Sequence, residues 1–424
     1  MTDVLITLPV AALSLALVLR CLEAWGLSGR HSGLVDSPEE EALSRCRGLP
    51  LERVFLAALG ARVALLAAGM IAVMLFSQGG ISWEECFRQL CQRWDGNHYW
   101  NLVEQGYKGY QENGEHLFLV FFPGYVWAVR LLRLVIPHTL GAGVTLSCLS
   151  FAGACCYLYR LGQEYYDEKT VRDGLLYLCL FPFSFFFGTM MTESLFLFLT
   201  AGACWYARKG KWGRFALFGV GAALTRMTGV LVIAPALVEL LSRERPLGLS
   251  LRRCWKRVLA RLPLVFSPLL GTGGYLLLNY AVDGDPFAFV THQKHWHQGF
   301  LWVSRVVEYL FQYFWSNRNG SFGWATWFPA LVLFGGVLVL LCWVVRQREH
   351  PPSLLVYGFG LFLSTYCLSW LLSAGRYLAC CFPLFFILAR LTRDRSLWRA
   401  VLLAGEGVFL GIYLCAYISG AQVM

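Results

Sequence analysis

The hydrophobic pattern is a series of apolar runs separated by short polar connectors. The runs lie at about 3–19, 53–76, 121–137, 139–160, 174–187, 192–207, 215–241, 258–282, 326–345, 354–373, 377–391 and 399–418. A helix rises 1.5 Å per residue and a hydrocarbon core is ~30 Å thick, so about 20 apolar residues make one crossing. The pattern predicts an all-α polytopic membrane protein, a bundle of about 11–13 transmembrane and half-membrane helices forming one integral domain over residues 1–424. The first run lacks the basic flank and small-residue cleavage site of a secretory signal and is expected as a retained span.

Positive charge sets the orientation, because short connectors rich in Lys and Arg stay cytoplasmic. The strongest are Arg208-Lys209-Gly210-Lys211 with Arg214, the run from Arg243 to Arg261, Arg346 with Arg348, and Arg390 to Arg399. The loop at 77–120, the connector at 283–325 and the Ser373-Ala374-Gly375-Arg376 turn then fall on the extracytoplasmic side. The polar stretch 26–52, mixed in charge, reads as a cytoplasmic loop.

Two runs do not fit single crossings. Run 215–241 has basic flanks at both ends and a polar, glycine-containing centre, Thr225-Arg226-Met227-Thr228-Gly229. Stretch 174–207 is interrupted by Gly188-Thr189-Met190-Met191-Thr192-Glu193-Ser194. Non-helical backbone at membrane depth is tolerated where it lines an enclosed or wet cavity. The pattern therefore predicts two broken-helix elements aimed at one site, both in the first half of the chain.

Composition agrees with the bilayer as solvent: 57% of residues are hydrophobic, only 15% are charged, and the mean hydropathy is +0.53. The net charge of +10 sits in the connectors, where it reads as topology signal and not as a nucleic-acid surface. Most of the 15 cysteines lie inside apolar runs, where a thiol acts as a small hydrophobe. Cys86 and Cys91, flanking the polar segment before Asp95, are either a cross-link or a free pair. No P-loop, GxGxxG, GxSxG or HExxH motif occurs, which excludes the common nucleotide and hydrolase sites.

Candidate chemistry gathers in the polar breaks. Asp95 stands at the N-terminal edge of an expected helix over 96–105, where exposed amides favour an anion, so it is either a base or only a cap. Phe121-Phe122-Pro123-Gly124-Tyr125 opens a span. Glu193 and Arg226 are ionisable groups among apolar runs, functional by default but equally able to pair with each other as a structural tie. Arg376 has the same two readings. Asp283-Gly284-Asp285 has DxD spacing but is also ordinary turn chemistry, and His292, His295 and His297 form an H-x2-H-x-H cluster.

Arg93-Trp94-Asp95 followed by Glu104-Gln105-Gly106-Tyr107 resembles the RWD…E-x-GY block of the PIG-V family, GPI mannosyltransferase 2 and its compact prokaryotic relatives. Phe121-Phe122-Pro123-Gly124 resembles its FFPG block, and Thr192-Glu193-Ser194-Leu195-Phe196 its TES-LF block. Thr225-Arg226-Met227-Thr228-Gly229 is similar to its R-x-T-G block. The four occur in family order over about residues 90–235.

The resemblance implies a GT-C-type membrane glycosyltransferase with an extracytoplasmic active-site loop. It would take a sugar, mannose in this family, from a polyprenyl- or dolichyl-phosphate donor. Asp95 becomes the base; Arg226, Arg376 and Arg93 are expected on the donor phosphate; Trp94, His98, Tyr99, Glu193, Gln293 and Trp296 are expected beside the substrate. The long luminal inserts of eukaryotic members are missing, which points to a glycolipid or glycan acceptor other than a GPI precursor. The expected location is the cytoplasmic membrane in a prokaryote, or the endoplasmic reticulum in a eukaryote.

A phosphate leaving group asks for a base on the acceptor hydroxyl and a cation on the departing phosphate, so the scheme needs no cofactor and no metal. Attack opposite the phosphate would invert the anomeric centre. Intramembrane Arg and Glu with broken helices also mark transport pathways, so a lipid or polysaccharide flippase is the main competing class, and a non-catalytic assembly subunit another.

Overall fold

The computed structural model describes residues 2–27, 48–77, 80–244 and 251–423, and among them it contains helices and turns but no strand. Most of the stretch 26–52, expected as a cytoplasmic loop, lies outside the described residues, as do 245–250 of the basic run. Six helical stretches are long and apolar enough to cross a membrane: Asp3–Ala24, Leu51–Phe76, Thr139–Gly162, Cys254–Asp283, Gly323–Val344 and Ser396–Ile418. The chain is an integral multi-pass membrane protein. The remaining expected spans are shorter or interrupted helices, and the interruptions build the site.

Helices α1 (Thr2–Ala24) and α2 (Leu51–Phe76) turn leucines such as Leu8, Leu56 and Leu75 outward, as lipid contact requires. The loop expected at 77–120 is itself helical, with α3 (Trp83–Cys91) and α4 (Asp95–Gly109). Ser82 caps α3 by accepting from the Glu85 amide. Pro123 then occupies the first turn of α5 (Pro123–Leu132), where its missing N–H costs nothing, and α6 (Thr139–Gly162) crosses the bundle centre.

Both interrupted stretches are helical hairpins. In the first, α7 (Glu168–Leu180) and α8 (Glu193–Arg208) are joined through 181–192. Pro182 explains the exit from α7, because it disfavours helical geometry in the preceding residue and Phe181 is extended. In the second, α9 (Trp212–Thr225) stops at Arg226, whose backbone is extended (φ −152°, ψ 150°), and the chain returns through Met227–Val232 into α10 (Ile233–Glu244). Arg208 lies 3.7 Å from Glu239 on α10, which places the basic turn and the return helix at the same end.

Helices α11 (Leu251–Val265) and α12 (Pro268–Asp283) follow. The 283–325 connector contains α13 (Ala288–Gln293) and α14 (Val303–Ser316), the latter exposing Phe311 and Trp315 in the manner of an interfacial helix. After α15 (Phe328–Val344) comes a third hairpin, which the sequence pattern gave as two ordinary spans joined by the 373–376 turn and not as a broken-helix element. Its arms are α16 (Pro352–Thr365) and α18 (Pro383–Thr392), and its turn holds the short α17 (Ala374–Ala379). Broken helices therefore occur in both halves of the chain. Arg376, expected in a loop, is helical and buried. Helix α19 (Ser396–Ile418) closes the bundle, tied to α7 by a bidentate Arg399–Asp173 pair at 2.6 and 2.7 Å.

One more charge at membrane depth has a structural explanation. Arg62 on α2 donates to the carbonyls of Ser184 (2.6 Å) and Cys179 (2.9 Å), where the end of α7 leaves acceptors unpaired. Its guanidinium lies over the Phe151 ring at 4.4 Å.

Candidate active site

The turns of the three hairpins meet at one end of the bundle, and each contributes one charged side chain. Glu193 opens α8, Arg226 follows α9, and Arg376 sits in α17. The 16 residues of α8 and 14 of α9 place this point about 21–24 Å from the basic Arg208–Lys211 turn, close to one hydrocarbon thickness. Asp95, the first residue of α4, completes the group.

These residues form an alternating chain of charge. Asp95 Oδ2 accepts from Arg376 Nη1 at 2.5 Å; Arg376 Nε donates to Glu193 Oε1 at 2.5 Å; and Arg226 Nη1 donates to the same Glu193 oxygen at 3.0 Å. Glu193 and Arg376 side chains are 0% and 3% exposed, whereas Arg226 and Asp95 keep 17% and 29%. The chain therefore runs from a buried anchor to two accessible ends. Arg226 also lies over Tyr377 at 4.8 Å and Phe196 at 5.5 Å, which fixes its plane. Oε2 of Glu193 is buried with no hydrogen-bond partner among the described residues.

Asp95 is held in place by backbone that the surrounding elements over-determine. Trp94, immediately before it, has φ 55° and ψ −127°, a sparsely populated conformation for a non-glycine residue. The Met190 amide donates to the Cys91 carbonyl at 3.1 Å, and Tyr417 Oη donates to the Leu90 carbonyl at 3.1 Å, so the α3–α4 junction is pinned from two sides. Burial works to raise the Asp95 pKa, but the charge and hydrogen bond of Arg376, with smaller contributions from His98 and Arg226, outweigh it and hold the carboxyl below its usual range.

A cavity of about 160 Å³ lies against this chain, roughly ten times what one water needs. Of the residues expected in the site, Asp95, Tyr99, Arg226, Arg376, Gln293 and Trp296 line it. Glu193 stands behind the two arginines. His98 does not reach the cavity; it stacks on Phe118 at 4.9 Å and meets Tyr110 Oη at 3.0 Å, supporting the lining residue Phe121. Burial lowers its pKa against the opposing pull of Asp95.

Arg93 departs from the expectation that it binds donor phosphate. Its guanidinium donates to the carbonyls of Tyr417 and of Ile418, the latter at 2.8 Å, at the end of α19. Those last-turn carbonyls have no partner within their helix, and a cation is favoured there. Trp94 likewise is absent from the cavity wall, and its indole N–H is buried without a partner among the described residues. Sequence reasoning missed Tyr377, Gln298, Thr192 and Thr225 as lining residues. Thr192, Thr225 and Tyr377 each adjoin a singled-out charge, so adjacency was a usable signal; Gln298 had none.

The E-x-GY block has a structural role in this chain. Glu104 pairs with Arg133 at 3.2 Å, Gly106 takes φ 77°, and Tyr107 Oη donates to the Phe121 carbonyl at 2.8 Å, joining α4 to the FFPG segment. Gly124 permits that segment to approach the hairpin turn, since a Cβ there would stand 2.7 Å from Thr225 Oγ1. Asp283 ends α12 before a left-handed Gly284 and meets His292 at 3.0 Å and His116 at 3.1 Å. His295 packs on Trp296 and His297 occupies a left-handed turn, so the three histidines of the cluster have different roles. Among the described residues no group of three or more His, Cys, Asp or Glu is arranged around a metal position. Cys86 and Cys91 are separate buried thiols.

The fold of the chain, a multi-pass helical bundle, matches GT-C glycosyltransferase folds. The structural likeness is to ArnT from Cupriavidus metallidurans bound to undecaprenyl phosphate, with 15% identity and a TM-score of 0.50 over 84% of this chain and 64% of that one. The chain thus spans a little under two thirds of ArnT's length. The Archaeoglobus fulgidus oligosaccharyltransferase in complex with zinc and sulfate aligns at 13% identity and a TM-score of 0.41, over 84% of this chain and 53% of its own. The archaeal oligosaccharyltransferase AglB of the same organism, in complex with an inhibitory peptide and a dolichol-phosphate, aligns at 12% identity and 0.37, over 85% and 56%. No family model and no curated protein sequence matches the chain.

Proposed function

We propose that the protein is a membrane glycosyltransferase that moves a sugar from a polyprenyl- or dolichyl-phosphate donor to a hydroxyl of a glycolipid or glycan on the extracytoplasmic face. The observation that carries this is the pair Arg226 and Arg376, held on one buried carboxylate at a cavity that also contains Asp95. Two guanidinium groups on a shared anchor suit a phosphate, and the Asp95 carboxylate on the same cavity wall suits a hydroxyl. The sequence blocks point to mannose, and the undecaprenyl phosphate held by ArnT supports a polyprenyl-phosphate donor.

In the resting site Arg376 is spent on Asp95, which makes that carboxylate a weak base. A donor phosphate entering beside Arg226 competes for Arg376 with its own negative charge, and release of Asp95 raises its proton affinity as the acceptor arrives. The acceptor O–H proton then passes to Asp95, the acceptor oxygen bonds the anomeric carbon, and the C–O bond to phosphate breaks with its electron pair leaving on the phosphate. Attack from the face opposite the phosphate inverts the anomeric centre. Arg226 and Arg376 stabilise the charge that develops on the leaving group.

Transport remains the second reading, because the third hairpin puts a broken helix in the C-terminal half as well. Transporter sites, however, lie near the bilayer midplane between repeats, whereas these turns lie at one end of 14- and 16-residue helices. The deciding experiment uses purified protein in liposomes with labelled polyprenyl-phosphate mannose, GDP-mannose as control, and mixed envelope glycolipids as acceptors. We expect transfer from the lipid donor alone, reduced about 10²–10⁴-fold in Asp95→Asn. Undiminished transfer in that variant rejects the base assignment, and translocation of labelled lipid without transfer rejects the enzyme.

A further inference from the structure

The wall of the cavity beyond the charge chain has a composition that the phosphate and base do not use. Its only charged members are Asp95, Arg226 and Arg376, and all three are engaged in the alternating chain. The rest is aromatic, aliphatic or neutral polar. Within it, Gln293 ends α13 and Gln298 follows the left-handed turn at His297, and the Gln298 amide donates to the Gln293 carbonyl at 3.1 Å. That turn brackets Trp296, whose ring meets Phe118 and Phe121 edge-on at 6.1 and 6.3 Å. Both glutamine side chains are half-buried at the cavity, and among the described residues neither side-chain carboxamide has a hydrogen-bond partner.

A carboxamide carries donors and an acceptor together, which matches a hydroxyl that also does both. Two such amides beside an indole offer hydrogen bonds to ring hydroxyls and an apolar face to ring carbons. A charged substituent has a different fate here. An ammonium or carboxylate on the sugar would lose water without meeting a counter-ion in this part of the wall, which holds no charged side chain among the described residues, and uncompensated burial of charge is strongly unfavourable. We infer that Gln293, Trp296 and Gln298 form the sugar-reading subsite of this cavity and select a neutral, polyhydroxylated hexose over amino sugars and uronic acids. This inference rests on the donor reading above and adds to it the residues that read the sugar and the rejection of charged ones.

The test separates the two by measuring binding rather than transfer. Full-length protein in nanodiscs is titrated with bare polyprenyl phosphate and with the same lipid phosphate carrying mannose, glucose, an amino sugar or a uronic acid, using intrinsic tryptophan fluorescence. The wild type should bind the neutral hexosyl lipids more tightly than the bare lipid, with no such gain for the charged sugars. In Gln293→Leu/Gln298→Leu the gain should shrink about tenfold, as for the loss of two neutral hydrogen bonds, while affinity for the bare lipid stays unchanged and serves as the folding control. Gln298→Glu should create a gain for the amino sugar. Binding of the bare lipid with no increment from any sugar, or an increment that the double variant keeps, overturns the subsite and leaves the donor reading standing. Failure to bind any of the lipids overturns both.

Discussion

At the scale of single residues, the site depends on one carboxylate doing the work of an anchor. Glu193 shares one oxygen between Arg226 and Arg376, so it sets the spacing of the two cations without reaching the cavity itself. Arg226→Ala removes the more exposed cation and should raise the KM for the lipid donor at least tenfold while changing the acceptor KM little; equal effects on both would show a structural tie instead. Asp95 leads to a prediction about pH. Its carboxyl is held low in the free protein despite burial, because Arg376 faces it. A lowered pKa keeps the base ionised to more acid pH, so the acid limb of kcat/KM, which reports the free enzyme, should lie lower than that of kcat, which reports the complex in which phosphate has drawn Arg376 away. Coincident limbs would argue against partner exchange. Glu193 and Arg226 stood out in the sequence because charge among apolar residues is costly and therefore noticeable, and Asp95 because it opens an expected helix in a polar loop. Arg93 was misjudged for a physical reason: its partners are backbone carbonyls at the end of α19, more than 320 residues away along the chain, and carbonyls have no sequence signature.

At the scale of elements, three hairpins do the positioning. Two were legible, one from basic flanks at both ends of a single apolar run, the other from a polar interruption. The third was not, because α16 and α18 read as two ordinary spans, and only their short lengths and the buried α17 turn reveal a hairpin. The α9–α10 hairpin closes against its own first arm, and a Cβ on Gly229 would stand 2.2 Å from the carbonyl carbon and oxygen of Ala222. Backbone there cannot yield as a flexible side chain would. Gly229→Val should therefore cost about 3 kcal/mol or more, read as a fall of several degrees in thermal unfolding together with loss of transfer. A variant with wild-type thermal stability would mean that the turn packs less closely than described. The helical content of the 77–120 and 283–325 loops was only partly visible in the sequence, where the Asp95 helix was expected and α14 was not.

At the scale of the whole molecule, the arrangement is a polar site at one end of a bundle and basic turns at the other. Arg390 reaches Glu349 at 2.6 Å, and Lys209 reaches Glu164 at 2.5 Å, so a charged pair ties together the open ends of the third hairpin and another those of the first, at the end away from the cavity. The positive-inside rule predicts that this end faces the cytosol. In right-side-out vesicles, Lys294→Cys should react with a membrane-impermeant maleimide over the native-cysteine background, and Arg395→Cys should react only after permeabilisation. The reverse pattern would invert the proposed topology and place the cavity on the cytosolic side.

The sequence by itself determined that this chain lives in a bilayer, which of its connectors carry the orienting charge, and that its rare intramembrane acids and bases gather at polar breaks. Those are local properties, set by the cost of placing charge and open backbone in hydrocarbon. Tertiary structure alone decided that Arg376 joins Glu193, 183 residues away, that Arg93 serves a helix end, and that Gln298 faces the same cavity as Arg226. These depend on how the hairpins pack, and hydrophobic periodicity records that a face is buried without recording what it is buried against.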